Sequence, residues 1–259
     1  MKTKNTTTRK KIAILAIDAM DSKLLSLFLN EMPNLKKLIN QSPKIKSKSV
    51  FPPDTPTAWA TIYTGLNPAK HGILSFVDPL DKVSQMATGE INNTFLKGKT
   101  FWDIASKNGK KVCIITPQLG YPVWNVNGAM IGRSTELYRN IPPVQSFPDN
   151  LLKNFKLDEL AAIKAVPKKN LIPKYIEEYK NLVLKEINIS KIFLSKDQWD
   201  IFFVYSSALD WIGHNLWSYF DKNDPSYPGS TKFESILRDF YVLYDQFIGE
   251  IQNNIDDDT

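Results

Sequence analysis

The chain has 259 residues, 42% of them hydrophobic and 12% aromatic, enough for one large core and outside the range of disordered, collagenous or disulfide-rich sequences. Its formal charge is +6, part of it in the polar start "MKTKNTTTRKK"; no basic cluster is interleaved with aromatics, so a solvated surface or a small anionic ligand is expected rather than a nucleic-acid polymer. The single cysteine, Cys113, lies in the apolar run "KVCIITP", which excludes internal disulfides and points to a buried thiol.

In chain order, "KKIAILAID" is a short continuous apolar run of the kind that forms a central parallel strand covered on both faces. It ends in Asp18, is too short for a membrane span, and lacks a small-residue cleavage site, so a strand is read here and a cytoplasmic location is expected. "SKLLSLFLNEM" has apolar residues at helical spacing with Ser22 as an N-cap candidate, "NLKKLINQ" continues as a second helix, and "KIKSKSV" alternates like a strand. "TFWDIASKNGKKVCIITP" predicts a helix, a stop at Gly109 and a strand. "WDIFFVYSSALD" repeats the shape of the first strand, an apolar run that ends in an acid, and "TKFESILRDFYVLYDQFIGEIQNNI" predicts a long amphipathic helix. The alternation implies an α/β fold with a largely parallel sheet flanked by helices. Between them, "NIPPVQSFPDN" reads as a proline-rich connector and the charged helical stretch after it as an inserted cap. The expected division is residues 1–135 as the first part of the core, 136–195 as an inserted helical cap, and 196–259 as the continuation of the core.

Three places could carry chemistry. Asp18 closes a strand, and ligands of open α/β sheets bind beyond the carboxyl ends of strands; capping of the next helix is the alternative role. In "FPPDTPTAWATIYTG", Pro56 suits a first helical position, which makes Thr55 the N-cap. A hydroxyl there sits where backbone N–H groups and the helix dipole favour a phosphate, although a plain capping threonine has the same signature. As a nucleophile it needs a base or a metal to remove its proton. Asp210 and His214, four residues apart, share a helix face if "SALDWIGHNLW" is helical, and imidazole with carboxylate suits zinc or another first-row metal. His71, in "NPAKHGI", is expected to organise a turn.

Together these segments resemble the alkaline phosphatase superfamily, in its nucleotide pyrophosphatase/phosphodiesterase-like branch. The branch's T-P-P-A-W segment, followed by T-G and N-P-x-K-H-G-I, is matched here by "TPTAWATIYTGLNPAKHGI", and its D-x-x-x-H motif by Asp210 and His214. The resemblance implies an alkaline phosphatase-like core, Thr55 as nucleophile through a phosphothreonine intermediate, and two divalent ions. Zinc is the usual ion, with manganese or another divalent ion the alternative. One ion would be held by Asp18 and Thr55, the other by Asp210 and His214. It further implies hydrolysis of small anionic phosphoric esters, phosphodiester or nucleotide-like. A phosphomutase or phosphotransferase relative, or a non-catalytic fragment or subunit of a split enzyme, are the alternatives. The branch continues into an S-D-H-G motif that supplies further ligands. This sequence ends at "IQNNIDDDT", where the strand before that motif is due, so a truncated or split form of a longer enzyme is expected.

Overall fold

The computed structural model describes residues 10–43, 45, 47–74, 95–134, 142–155, 157–161, 163 and 168–259. In chain order these form β1 (Ile12–Ile17), α1 (Ser22–Phe28), α2 (Pro33–Gln41), α3 (Thr55–Thr64), α4 (Pro68–His71), α5 (Phe101–Lys107), β2 (Val112–Ile115), β3 (Gly128–Arg133) and β4 (Val144–Phe147). There follow α6 (Asn150–Phe155), α7 (Ile172–Lys196), β5 (Ile201–Ser206), α8 (Ala208–Phe220) and α9 (Ile236–Asn253). The five strands form one sheet in the order β1-β5-β2-β3-β4, parallel except for β4.

Strand periodicity divides the core in two. Phe202, Val204, Cys113, Ile115, Ala129 and Ile131 face a layer built by α7, α8 and α9. Phe203, Tyr205, Val112, Ile114, Met130 and Ala16 face α3 and α5 on the other side. This is the predicted α/β architecture, and both acid-terminated apolar runs are neighbouring strands, with Ile17 in register with Ser206. Burial raises the pKa of the Cys113 thiol, in keeping with a structural cysteine.

Several local expectations differ from the structure. Residues 47–50 join no strand, contrary to the alternating pattern. The N-cap of α1 is Asp21, whose carboxylate accepts from the Lys23 and Leu24 amides, and not Ser22. An aspartate caps as well as a serine, and pattern alone cannot choose between adjacent candidates. The long amphipathic helix begins at Ile236, because residues 231–234 turn under hydrogen bonds from Tyr227 and Thr231 to Glu234. Within the stretch 136–195, expected as a helical cap, "VQSF" is the antiparallel edge strand β4, and α7 buries Tyr175, Tyr179, Val183, Ile187 and Phe193 in the layer covering the sheet.

Candidate functional site

The carboxyl edge of the parallel strands is where the backbone departs from regular geometry. Ala19, Thr116 and Leu119 are the non-glycine residues with positive φ, at 57°, 47° and 62°, among the described residues. Thr116 directly follows β2, and Ala19 follows β1 with Asp18 between. Such conformations persist where the surroundings enforce them, and they cluster at functional sites.

Asp18 lies one residue past β1, with its amide bonded to the Ser206 carbonyl at 3.0 Å. It has the parity of Ala16, so its side chain is on the α3 face. There it accepts the Tyr205 hydroxyl at 2.7 Å and the Ala19 amide at 3.0 Å. Asp21 does the capping of α1, which leaves Asp18 free of that role.

α3 is aimed at the same edge. The Trp59 ring meets Tyr205 edge-on at 5.0 Å between centroids, and Tyr63 meets Phe203 at 5.7 Å. One helical turn toward the N-terminus of α3 therefore matches two residues toward the carboxyl end of β5, about 6 Å in each case. Extending the same stripe by a further turn puts Thr55 level with residue 207, just beyond the strand and beside the level of Asp18. The helix begins one position earlier than the prolines suggest: the N-cap is Asp54, whose carboxylate accepts the Thr55 amide at 3.0 Å, and Thr55 is the first helical residue. The Asp54 carbonyl takes the Ala58 amide at 2.8 Å, which fixes that assignment.

Asp210 and His214 lie on the first turns of α8, the helix that follows β5. His214 Nε2 is 3.3 Å from Asp210 Oδ1, with the imidazole largely exposed and the carboxylate mostly buried. Asp210 is held above its ordinary pKa, first by burial, then by the negative charge of Asp18; His214 opposes the shift. The register of β1 and β5 sets Asp18 level with the start of α8, the helix that carries Asp210. His71 is elsewhere: Nδ1 accepts the Ile73 amide at 3.2 Å, so Nε2 carries the proton and donates to Thr61 Oγ1 at 2.8 Å. It organises the α3–α4 turn, as expected.

Asp18 and the start of α8 with Asp210 thus share one edge, with His214 beside Asp210. The two ions implied by the resemblance do not fit the donors in hand. Among the described residues no group of three or more His, Cys, Asp or Glu side chains could hold a metal, whereas zinc takes at least three protein ligands.

The sequence patterns did not single out Arg133, at the end of β3. Its side chain is only 7% exposed and pairs with the fully buried Glu186 at 3.1 Å, while Nη2 donates to Ser207 Oγ at 3.2 Å. A glutamate on the apolar face of α7, four residues from Leu182 and Ser190, was the available signal.

The carboxyl edge of the parallel strands, where open α/β sheets place their ligands, carries Asp18 and, at the start of the helix after β5, Asp210. The family model described as type I phosphodiesterase / nucleotide pyrophosphatase matches residues 12–259, and the chain belongs to that family. The fold is shared with crystal structures of phosphonoacetate hydrolase from Sinorhizobium meliloti 1021, solved in complex with phosphonoformate and with phosphonoacetate. In both the TM-score is 0.59 and the identity 20%, over 95% of this chain. The chain spans about half of those proteins, 54% of their length. No curated protein matches it in sequence. Among the described residues no helix is long and apolar enough to cross a membrane.

Proposed function

We propose that this chain carries the nucleophile side of a phosphoric-ester hydrolase site acting on a phosphodiester or nucleotide-like substrate, with Thr55 as the attacking group. The observation behind this reading is the Thr55–Trp59–Tyr63 stripe. Trp59 and Tyr63 pack along β5, and Tyr205, which Trp59 meets, holds Asp18; continued by one turn, that stripe would carry the Thr55 hydroxyl toward the same edge. Family membership adds support.

The phosphoryl group of the substrate would lie against the N-terminus of α3, where the helix dipole favours its charge. Thr55 Oγ1 forms a new O–P bond as the bond to the leaving alcohol breaks, and the proton lost by the threonine ends on that alcohol. Water then attacks the phosphothreonine, freeing the threonine hydroxyl and releasing the remaining phosphoric ester. Holding Oγ1 in line with the scissile bond supplies much of the rate enhancement in such a step. Asp18, Asp210 and His214 are the donors this chain would offer to divalent cations, zinc or manganese by the resemblance. They complete neither ion's shell, and no step above passes through one.

The test is hydrolysis of a chromogenic phosphodiester by the parent, Thr55→Ala and Thr55→Ser. The reading expects loss of turnover in Thr55→Ala, partial retention in Thr55→Ser, and unchanged folding in both. Turnover in Thr55→Ala equal to that of the parent would end it.

A further inference from the structure

The serine that begins α8 does not cap it. Ser207 occupies the N-cap position, yet its side chain makes no capping bond and is turned instead to Arg133 Nη2. A capping side chain normally accepts the amide of the second or third helical residue. Tyr244 of α9 instead reaches Ser206, the residue before Ser207 and the last of β5, with the two hydroxyls in hydrogen-bond contact.

The donors around it form an ordered chain. Ser206 Oγ donates to Glu186 Oε2 and lies 2.6 Å from Tyr244 Oη. Because the serine proton is committed to the glutamate, the tyrosine proton must go to the serine. The sequence of donation is Tyr244 to Ser206, Ser206 to Glu186. Arg133 then balances the carboxylate and reaches back to Ser207. Ser206, Glu186 and Tyr244 are all fully buried. The links meet at Ser206 and Ser207, the junction of β5 with α8, just ahead of the turn that carries Asp210.

The register explains how Arg133 gets there. Ile131 pairs with Ile115, and Ile115 with Val204, so Arg133 is level with Ser206, two strands away. β2 stops at Ile115 and turns aside at Thr116 with φ 47°, which opens the edge above it. Arg133 shares the face of Ile131, the face covered by α7, and meets Glu186 there.

We propose that Arg133, Glu186 and Tyr244 are positioning residues that anchor the junction of β5 and α8 from outside and thereby hold Asp210 at the carboxyl edge. The effect on turnover rests on the proposed hydrolase reading; the effect on the helix does not. Removing Arg133 would leave Glu186 as a buried unpaired charge and endanger folding, so milder variants carry the test. In the full chain, Tyr244→Phe keeps the ring and loses the relay, Ser207→Ala loses the Arg133 contact, and Ser207→Thr restores a hydroxyl.

Hydrogen–deuterium exchange over peptides spanning 207–214 is the first readout. Tyr244→Phe and Ser207→Ala are expected to speed exchange there roughly five- to tenfold, with β5 and the middle of α7 unchanged and Ser207→Thr close to the parent. Unchanged exchange in 207–214, or an increase of the same size throughout α7 and α9, would overturn the proposal. The second readout is phosphodiester hydrolysis, where kcat should fall severalfold at near-constant KM. A parent without any hydrolysis would count against the hydrolase reading and leave the exchange result to decide this one. Faster exchange at 207–214 with kcat unchanged would overturn the link to Asp210.

Discussion

Tyr205→Phe isolates the bond that holds Asp18. The ring of Tyr205 is 2% exposed and packed edge-on against Trp59, and phenylalanine preserves both features. What is lost is the 2.7 Å hydrogen bond from the phenol to Asp18 Oδ2. Hydrogen bonds to charged groups contribute about 1.5–3 kcal/mol, roughly twice the neutral kind. Asp18 keeps the Ala19 amide as a second donor, so its carboxylate is not stripped, and the lower part of that range applies. A loss of about 2 kcal/mol is expected at neutral pH. For a chain of this size that lowers Tm by about 4–8 °C. Urea unfolding followed by far-UV circular dichroism measures it, with m unchanged because no surface is newly exposed. A variant within about 0.5 kcal/mol of the parent would show that the phenol does not hold the acid, and with it the argument that Tyr205 links α3 to Asp18 would fail.

Asp210→Asn should stabilise the chain at pH 7 by about 0.5–1 kcal/mol, the gain typical of relieving a strained functional position. The raised pKa of Asp210 means its contribution is most favourable below the ordinary aspartate range of about 4 and is lost as pH rises through its folded value. The advantage of the variant should therefore vanish near pH 3–4, as paired unfolding curves would reveal; a destabilised Asp210→Asn at pH 7 would contradict the repulsion with Asp18. His71 is held below its ordinary pKa by burial and then by Lys99, so the unfolded chain binds the proton first as pH falls below about 6.5. Parent stability should decline through that window, and the decline should be smaller in His71→Gln. Phe203→Ala removes a ring that contacts Tyr63, Phe101 and Trp102 and should cost about 3–5 kcal/mol by chemical denaturation, against under 1 kcal/mol for a change at exposed Ile45.

β5 was readable in the sequence because a strand buried on both faces must be continuously apolar; β1 has the same pattern but, contrary to the expectation of a central strand, lies at the edge of the sheet with Ile12 exposed, because among the described residues only β5 pairs with it. α3 announced itself through Pro56 and Gly65, the latter at φ 66° as the helix stop. β4 was hidden: four residues between prolines carry too little pattern, and an antiparallel edge strand tolerates the flanking prolines that a central strand would not. The choice between adjacent caps, Asp21 or Ser22 and Asp54 or Thr55, rests on backbone geometry, which residue type does not determine. Asp18, Thr55, Asp210 and His214 were legible as chemistry-bearing types at strand and helix ends. Arg133 and Glu186 were not, because their pairing spans 53 residues and depends on β2 ending early.

The central claim is that the Thr55 hydroxyl is the group that takes up the phosphoryl moiety. It is tested most directly by acid-quenching the parent during turnover of a phosphodiester and mapping phosphorylation by peptide mass spectrometry. The account predicts Thr55 esterified to the phosphoryl group together with the alcohol that group retains, an adduct that disappears when substrate is exhausted and is missing in Thr55→Ala. Steady turnover with no such adduct, or with the adduct on another residue, would contradict it.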